Sequence, residues 1–161
     1  MARLLVVGGG CRALALAAGL RAEGHAIRAT TRTEARRAQI EAVGAECVIA
    51  DPDRVGTLRY ALDNVTLVLW LLGTATGDNV ADLHGSRLSM MLERTIDTTA
   101  RGILYEAAGT VPADVLAGGR ALVERMASYN EIPARVLTDD PLDQDAWVRG
   151  ARSAVDSLLI S

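Results

Sequence analysis

Residues 3–13 of the chain read Arg3-Leu4-Leu5-Val6-Val7-Gly8-Gly9-Gly10-Cys11-Arg12-Ala13. An apolar run of strand length ends in a glycine-rich turn, and residues 14–20 continue as a helix of small and apolar side chains. This order of strand, G-x-G-x-x-A turn and helix is typical of dinucleotide-binding sites. In that motif Gly8 permits the tight turn, Gly10 lets the backbone approach a pyrophosphate, and Ala13 lets the helix pack closely on the sheet. The alternative is an ordinary strand-to-helix turn.

Strands and helices alternate along the rest of the chain, which indicates an α/β protein with a parallel sheet covered on both faces. The further predicted strands span residues 26–31, 46–50, 66–72, 102–107 and 134–137. Helices are predicted over 34–43, 54–62, 80–98, the stretch after Pro112, and 143–160. Right-handed crossovers then give a Rossmann doubly wound sheet of six strands in the order 3-2-1-4-5-6. We expect residues 1–161 to form a single domain of this kind.

Composition excludes several classes of function. All 17 basic residues are arginine, so no lysine can act in catalysis. The net charge of −3 and the lack of a basic run argue against a nucleic-acid partner. Residues 67–72 form the longest apolar run, far short of a membrane span, and the N-terminus does not resemble a signal peptide. The N-terminus and the short apolar runs lead us to expect a cytoplasmic protein. No cysteine or carboxylate spacing suits a metal, so we expect no metal site.

Polar residues follow the predicted strands at the edge where such sheets bind ligands, beyond the carboxyl ends of the strands and where the strand order reverses. Two of them, Cys11 and Arg12, lie beside the start of a helix, whose free N–H groups favour phosphate. The candidate cofactor-binding residues are Gly8, Gly10, Cys11, Arg12, Ala13, Thr31, Arg32, Asp51, Gly73 and Thr74.

The end of the second strand bears on the choice of cofactor. It reads Thr30-Thr31-Arg32, with no carboxylate before Glu34. A carboxylate there bonds the ribose 2′-hydroxyl of NAD, whereas an arginine accommodates the 2′-phosphate of NADP. The sequence therefore favours NADP, with NAD as the alternative. A solvated surface arginine is the competing interpretation of Arg32, and a cap or turn residue that of Asp51.

The chain resembles the atypical and extended short-chain dehydrogenase/reductase superfamily, in particular its NmrA-like and epimerase-like NAD(P)-binding members. The resemblance rests on the glycine-rich turn, the strand ending in Arg32, Asp51 after the third strand and Gly73 after the fourth. It covers nearly the whole chain as a fold and is specific over residues 3–75. It implies an NAD(P) cofactor, with Asp51 facing the adenine. Two glycines of the family's Gly-Ala-Thr-Gly-x-x-Gly loop are missing here.

The second half of the chain departs from that family. Its catalytic serine and Tyr-x-x-x-Lys motif follow the fifth strand. Here the serine positions hold Ala107 and Ala108, the tyrosine position holds Pro112, and the lysine position holds Leu116. After the sixth strand the chain has room for only one helix, so we expect no substrate lobe.

Three residues are weak catalytic candidates: Glu106 at the end of the fifth strand, Thr110 in the loop after it, and His84, which we expect near the mouth of the site. A histidine can act as an acid or base at neutral pH, but a lone one is more often structural. A carboxylate amid apolar residues lies either at the cofactor crevice or in a salt bridge with an arginine. Both interpretations of Glu106 stay open.

The sequence therefore predicts a minimal NAD(P)-binding Rossmann protein that acts as a non-catalytic dinucleotide sensor or interaction module. One alternative is an NADP-dependent oxidoreductase or epimerase with an atypical active site. Another is a Rossmann-like structural partner that has lost cofactor binding. We also expect a homodimer, because Leu88, Met90, Met91 and Leu92 give the fourth helix more apolar surface than one sheet face can cover.

Overall fold

The computed structural model describes residues 2–161, in which six strands form one parallel sheet. The strands are β1 (Arg3–Gly8), β2 (Ala26–Thr31), β3 (Glu46–Ile49), β4 (Leu67–Leu71), β5 (Gly102–Glu106) and β6 (Ala134–Leu137). Their order is β3-β2-β1-β4-β5-β6, and every neighbouring pair is parallel. The predicted Rossmann topology is confirmed.

Helices cover both faces of this sheet and produce two apolar cores. They are α1 (Gly10–Ala22), α2 (Arg37–Ala42), α3 (Val80–Leu83), α4 (Ser86–Ile96), α5 (Ala113–Asn130) and α6 (Gln144–Leu159). One core contains side chains of α1, α2 and α6, and the other contains side chains of α3, α4 and α5. The central strand β4 is buried along its whole length and serves both cores, with Leu69 in the first and Trp70 in the second.

Two predicted helices are shorter than their apolar patterns suggest. The helix expected over 80–98 is interrupted between α3 and α4 at Gly85, where φ is −125° and ψ is −105°, outside the helical region. The helix expected over 54–62 is only a short 3-10 turn, Val55–Leu58. Nη1 of Arg28 donates hydrogen bonds to the carbonyl oxygens of Ala61 and Asp63 at 2.7 and 2.8 Å. These two carbonyls are thus bound by a side chain and not by backbone N–H groups of a longer helix.

The apolar surface of α4 is covered by the chain itself. Leu88, Met91 and Leu92 are buried in the second core, and only Met90 of that group stays partly exposed. The surplus of apolar surface from which we expected a homodimer is therefore largely accounted for within one chain. In the described residues, no helix combines the length and apolar character needed to cross a membrane.

Candidate functional site

The glycine-rich turn adopts a backbone that only glycines take up without strain. Gly8, Gly9 and Gly10 have φ values of 81°, 91° and 57°, all in the left-handed region. A Cβ on Gly8 would lie 2.6 Å from the carbonyl oxygen of Leu71, so β1 and β4 approach too closely for a side chain there. A Cβ on Gly10 would meet no atom within 4 Å. The backbone at Gly10 is thus open to a ligand.

A cavity of about 350 Å³ opens beside this turn, at the carboxyl ends of β1, β2 and β3. Its volume lies within the ordinary range of small-molecule sites, roughly 300–1,000 Å³. The loop that follows β4 forms the opposite wall, with Thr74, Ala75, Thr76 and Asn79. The sequence-predicted residues that line it are Gly8, Gly10, Ala13, Thr31, Arg32, Asp51 and Thr74. The turn and the ends of β2 and β3 therefore meet at one site.

The end of the cavity beside β2 is positively charged. Arg32 and Arg36 both line it, together with Thr31 and Thr33. The Nε of Arg36 is buried and makes no hydrogen bond with any residue in 2–161. A buried N–H without a partner is rare in folded proteins. Sequence reasoning missed Arg36, which lies at the end of the 3-10 turn Glu34–Arg36 that follows β2.

Three further charged side chains near this end of the cavity are held by hydrogen bonds. Arg37 pairs with Glu34 at 2.6 Å, outside the cavity, and this hydrogen bond lowers the pKa of the Glu34 carboxyl. Asp51 lines the cavity, and one of its carboxylate oxygens accepts the backbone N–H of Asp53 at 3.0 Å. The hydroxyl oxygen of Thr57 accepts a hydrogen bond from the backbone N–H of Asp51 at 2.8 Å. Asp51 thus presents a carboxylate of fixed orientation near the end of β3.

Arg12 forms a buried ion pair with Glu106 and does not line the cavity. Its Nη2 and Nε donate to the two carboxylate oxygens of Glu106 at 2.6 and 3.1 Å. Glu106 also accepts the indole N–H of Trp147 at 2.7 Å and the backbone N–H of Gly73 at 2.8 Å. The structure supports the interpretation of Glu106 as a salt-bridge residue. Two nitrogens of the Arg12 guanidinium are occupied by this salt bridge. Its remaining Nη1 donates to Thr74 Oγ1 at 3.1 Å.

The carboxyl ends of β4 and β5 are closed against each other by backbone contact. The backbone N–H of Val111 donates to the carbonyl of Gly73 at 3.0 Å. A Cβ on Gly73 would overlap the carbonyl oxygen of Ala108, and one on Gly109 would overlap Gly73 in turn. Gly73 is therefore part of a closed seam between the two loops and does not line the cavity.

His84 is buried and only 2% exposed, which corrects the expected position at the mouth of the site. Its Nε2 lies 2.8 Å from the carbonyl of Leu72, which can only accept, so Nε2 carries the proton. Its Nδ1 then accepts from the hydroxyl of Tyr105 at 2.6 Å. Burial lowers the pKa of His84, and burial with the nearby charge of Glu106 raises that of Tyr105. Both groups are neutral at pH 7.

The remaining predicted residues lie apart from the cavity. Cys11 is exposed at the start of α1, and Thr110 is exposed in the loop after β5. The three catalytic candidates, Glu106, Thr110 and His84, thus occupy an ion pair, a surface loop and the core. Over residues 2–161, no group of three His, Cys, Asp or Glu side chains is arranged to hold a metal ion.

Comparison with known proteins supports the fold. The chain matches no protein-family model and no curated protein sequence. Among solved structures, it is similar to a short-chain dehydrogenase/reductase superfamily protein from Agrobacterium tumefaciens with bound NAD. The two share 17% identity over 84% of this chain and 48% of that one, with a TM-score of 0.69.

Two further structures have the same architecture. The triphenylmethane reductase of a Citrobacter species, complexed with NADP(H), is 19% identical over 84% of this chain and 49% of that one, with a TM-score of 0.63. A UDP-glucuronic acid 4-epimerase from Bacillus cereus in complex with NAD is 14% identical over 84% and 55%, with a TM-score of 0.63. The chain spans about half the length of these structures. The fold implied by the resemblance to this superfamily is confirmed.

Proposed function

We propose that this chain binds a nicotinamide dinucleotide, prefers NADP to NAD, and acts as a sensor or interaction module rather than as a reductase. The observation that carries the proposal is a single cavity that joins the open backbone of Gly10 to the two arginines, Arg32 and Arg36, at the end of β2. A pyrophosphate at the start of α1 and a ribose 2′-phosphate at the end of β2 would occupy these two ends.

The residues present suit such a ligand. The left-handed glycines expose backbone where a side chain would exclude phosphate oxygens. Arg32 and Arg36 both line the cavity and bring two positive charges to its end beside β2. Hydrogen bonds to a charged group contribute about 1.5–3 kcal/mol each. One such contact favours NADP over NAD by roughly ten- to hundredfold.

A non-catalytic role is favoured by the position of the acidic and hydroxyl groups. Glu106 is bound to Arg12, His84 is hydrogen-bonded in the core, and Thr110 is exposed outside the cavity. The positions of the superfamily's serine, tyrosine and lysine hold alanine, Pro112 and Leu116. No specific contact favours the alternative of an oxidoreductase or epimerase.

Calorimetric titration of the chain with NADPH and NADH tests the proposal. We expect measurable binding of both, tighter for NADPH, and loss of both in Gly10→Val, because the branched side chain would project into the cavity from a left-handed position. Gly24→Val is the matched control, since Gly24 also has a left-handed φ of 94°, a Cβ there meets no atom within 4 Å, and Gly24 does not line the cavity. Absence of binding in the unchanged chain would overturn the proposal.

A homodimer and a cytoplasmic location stay predictions. Met90 and Ile96, each 40% exposed, are the apolar side chains that α4 leaves at the surface for a second copy. Sedimentation at tens of micromolar tests the assembly, and a monomer would contradict it.

A further inference from the structure

The cavity walls come from only part of the sheet. The lining residues belong to β1, α1, β2, the segment that follows it as far as Ile40 of α2, the end of β3, and the segment after β4 as far as Leu83 of α3. In residues 2–161, neither the loop between β5 and α5 nor the loop between β6 and α6 lines it. The Rossmann sheet consists of two mononucleotide-binding halves, β1–β3 and β4–β6. The cavity is thus formed by the first half together with the segment that follows β4, and the ends of β5 and β6 take no part in it.

The second half is closed by the chain's own backbone. Gly73, which follows β4, contacts Ala108 and Gly109 directly, and its carbonyl accepts the N–H of Val111 at 3.0 Å. The two glycines let the loops approach more closely than any side chain would allow. A planar ring has no space between the carboxyl ends of β4 and β5 while this seam is intact.

The polar groups beneath this seam are also occupied. Both carboxylate oxygens of Glu106 accept hydrogen bonds from Arg12, and Gly73 and Trp147 donate to them as well. A network whose members are all satisfied and buried is rigid. Opening the seam would remove the hydrogen bond from the backbone N–H of Gly73 to Glu106, and the loss of a donor is costly for a buried carboxylate. These groups are therefore already taken. A separate hollow of about 190 Å³ lies beyond β5, and it shares no lining residue with the cavity.

We propose that the chain holds the adenylate half of its dinucleotide and leaves the nicotinamide in solvent. This inference rests on the proposed function and specifies its ligand class as adenosine phosphates with a ribose 2′-phosphate. The chain then responds to the amount of dinucleotide and not to its redox state, because the oxidised and reduced rings make no contact with it.

Paired titrations test this directly. NADP is compared with 2′-phospho-ADP-ribose, which is the same molecule without its nicotinamide, and NAD is compared with ADP-ribose. We expect the two members of each pair to bind within about threefold of one another, a difference well under the 1.4 kcal/mol that makes a factor of ten. The fluorescence of the reduced nicotinamide of NADPH should stay at its free-solution wavelength and intensity on binding.

A variant of the cavity tests whether the 2′-phosphate contributes equally to the binding of both ligands. Arg36→Ala should weaken NADP and 2′-phospho-ADP-ribose by the same factor, because both carry the 2′-phosphate. Arg59→Ala, an exposed arginine outside the cavity, is the matched control and should change neither.

The possible outcomes are distinct. If NADP binds more than about tenfold tighter than 2′-phospho-ADP-ribose, or if NADPH emission shifts to the blue on binding, the nicotinamide has a site on the chain. The inference is then wrong while the proposed function stands. If none of the four ligands binds, the proposed function and this inference are both overturned.

Discussion

The guanidinium of Arg12 and the carboxylate of Glu106 form a two-point ion pair directly beneath the glycine-rich turn. The carboxylate is 0% exposed, and Arg12 also lies over the ring of Trp147 at 5.2 Å. The pair joins the start of α1 to the end of β5 and to α6. Through Nη1 of Arg12 it also holds Thr74, a residue of the cavity wall.

Loss of this ion pair should destabilise the chain strongly. Glu106→Gln leaves the buried charge of Arg12 without its partner, and removing one member of a buried pair costs about 3–5 kcal/mol. Glu124→Gln is the matched control, because Glu124 pairs with Arg120 on the exposed face of α5, where such pairs contribute less than about 1 kcal/mol. Urea denaturation measures both. Equal losses in the two variants would contradict a special role of the buried pair.

The two arginines of the cavity should decide cofactor preference. We expect Arg32→Ala and Arg36→Ala each to weaken NADPH by roughly ten- to hundredfold and NADH much less, since only NADPH carries the 2′-phosphate. Arg59→Ala serves as the control, as it removes an exposed arginine outside the cavity. Calorimetry that gives equal affinities for the two cofactors, unchanged by Arg32→Ala, would remove Arg32 from the site.

The free energy of unfolding should decrease as the pH is lowered, because of His84. Burial lowers its pKa below 6.5, so the unfolded chain binds the proton more tightly than the folded chain. The contribution is complete above about pH 6.5 and is lost as the pH falls towards the folded-state pKa, with a slope of up to about 1.4 kcal/mol per pH unit. Tyr105 and Glu106 are the titratable groups that face it, and the charge of Glu106 reduces the shift.

Denaturation of the wild type and His84→Gln at about pH 5.5 to 7.5, roughly one unit on either side of the ordinary histidine pKa, measures this effect. The variant is expected to be less stable throughout and to depend less steeply on pH, since the slope reports only the titrating group. The same slope in both proteins would show that His84 does not carry the effect.

Two adjacent glycines in α5 should respond to alanine with opposite signs. A Cβ on Gly119 would overlap the hydroxyl of Tyr105, so Gly119→Ala overpacks the core at a cost of about 1–3 kcal/mol. A Cβ on Gly118 meets no atom within 4 Å, so Gly118→Ala should stabilise the helix by about 0.5–1 kcal/mol. Thermal unfolding of the two variants checks the signs, and a stabilised Gly119→Ala would refute the close packing of α5 on Tyr105.

Carbonyl reduction should be slow or undetectable. Glu106 is bound to Arg12 and His84 lies in the core, and a missing general acid costs about 10²- to 10⁴-fold. We expect NADPH oxidation with simple aldehydes and ketones to stay below about 1 per second, which is the lower end of ordinary turnover. Faster steady oxidation would contradict the non-catalytic role.

Much of the site was predictable because it depends on local backbone. Five site residues lie at or just after the ends of strands whose apolar runs are visible in the sequence: Gly8, Gly10, Thr31, Arg32 and Asp51. Parallel strands bring their carboxyl ends to one edge of the sheet. The positions of the Arg12 and His84 side chains could not be predicted, for one shared reason. Both side chains are turned inward by partners distant in the chain, and no local pattern announces such partners.

The sequence by itself determined the strand order, the turn and the place of the cavity, because hydrophobic periodicity and glycine spacing act over a few residues. Only the tertiary structure decided which of the 17 arginines pairs with Glu106, and that the ends of β4 and β5 close on each other. Arg12 and Glu106 are 94 positions apart. Their pairing depends on burial, since a carboxylate removed from water binds whichever cation the packing brings to it.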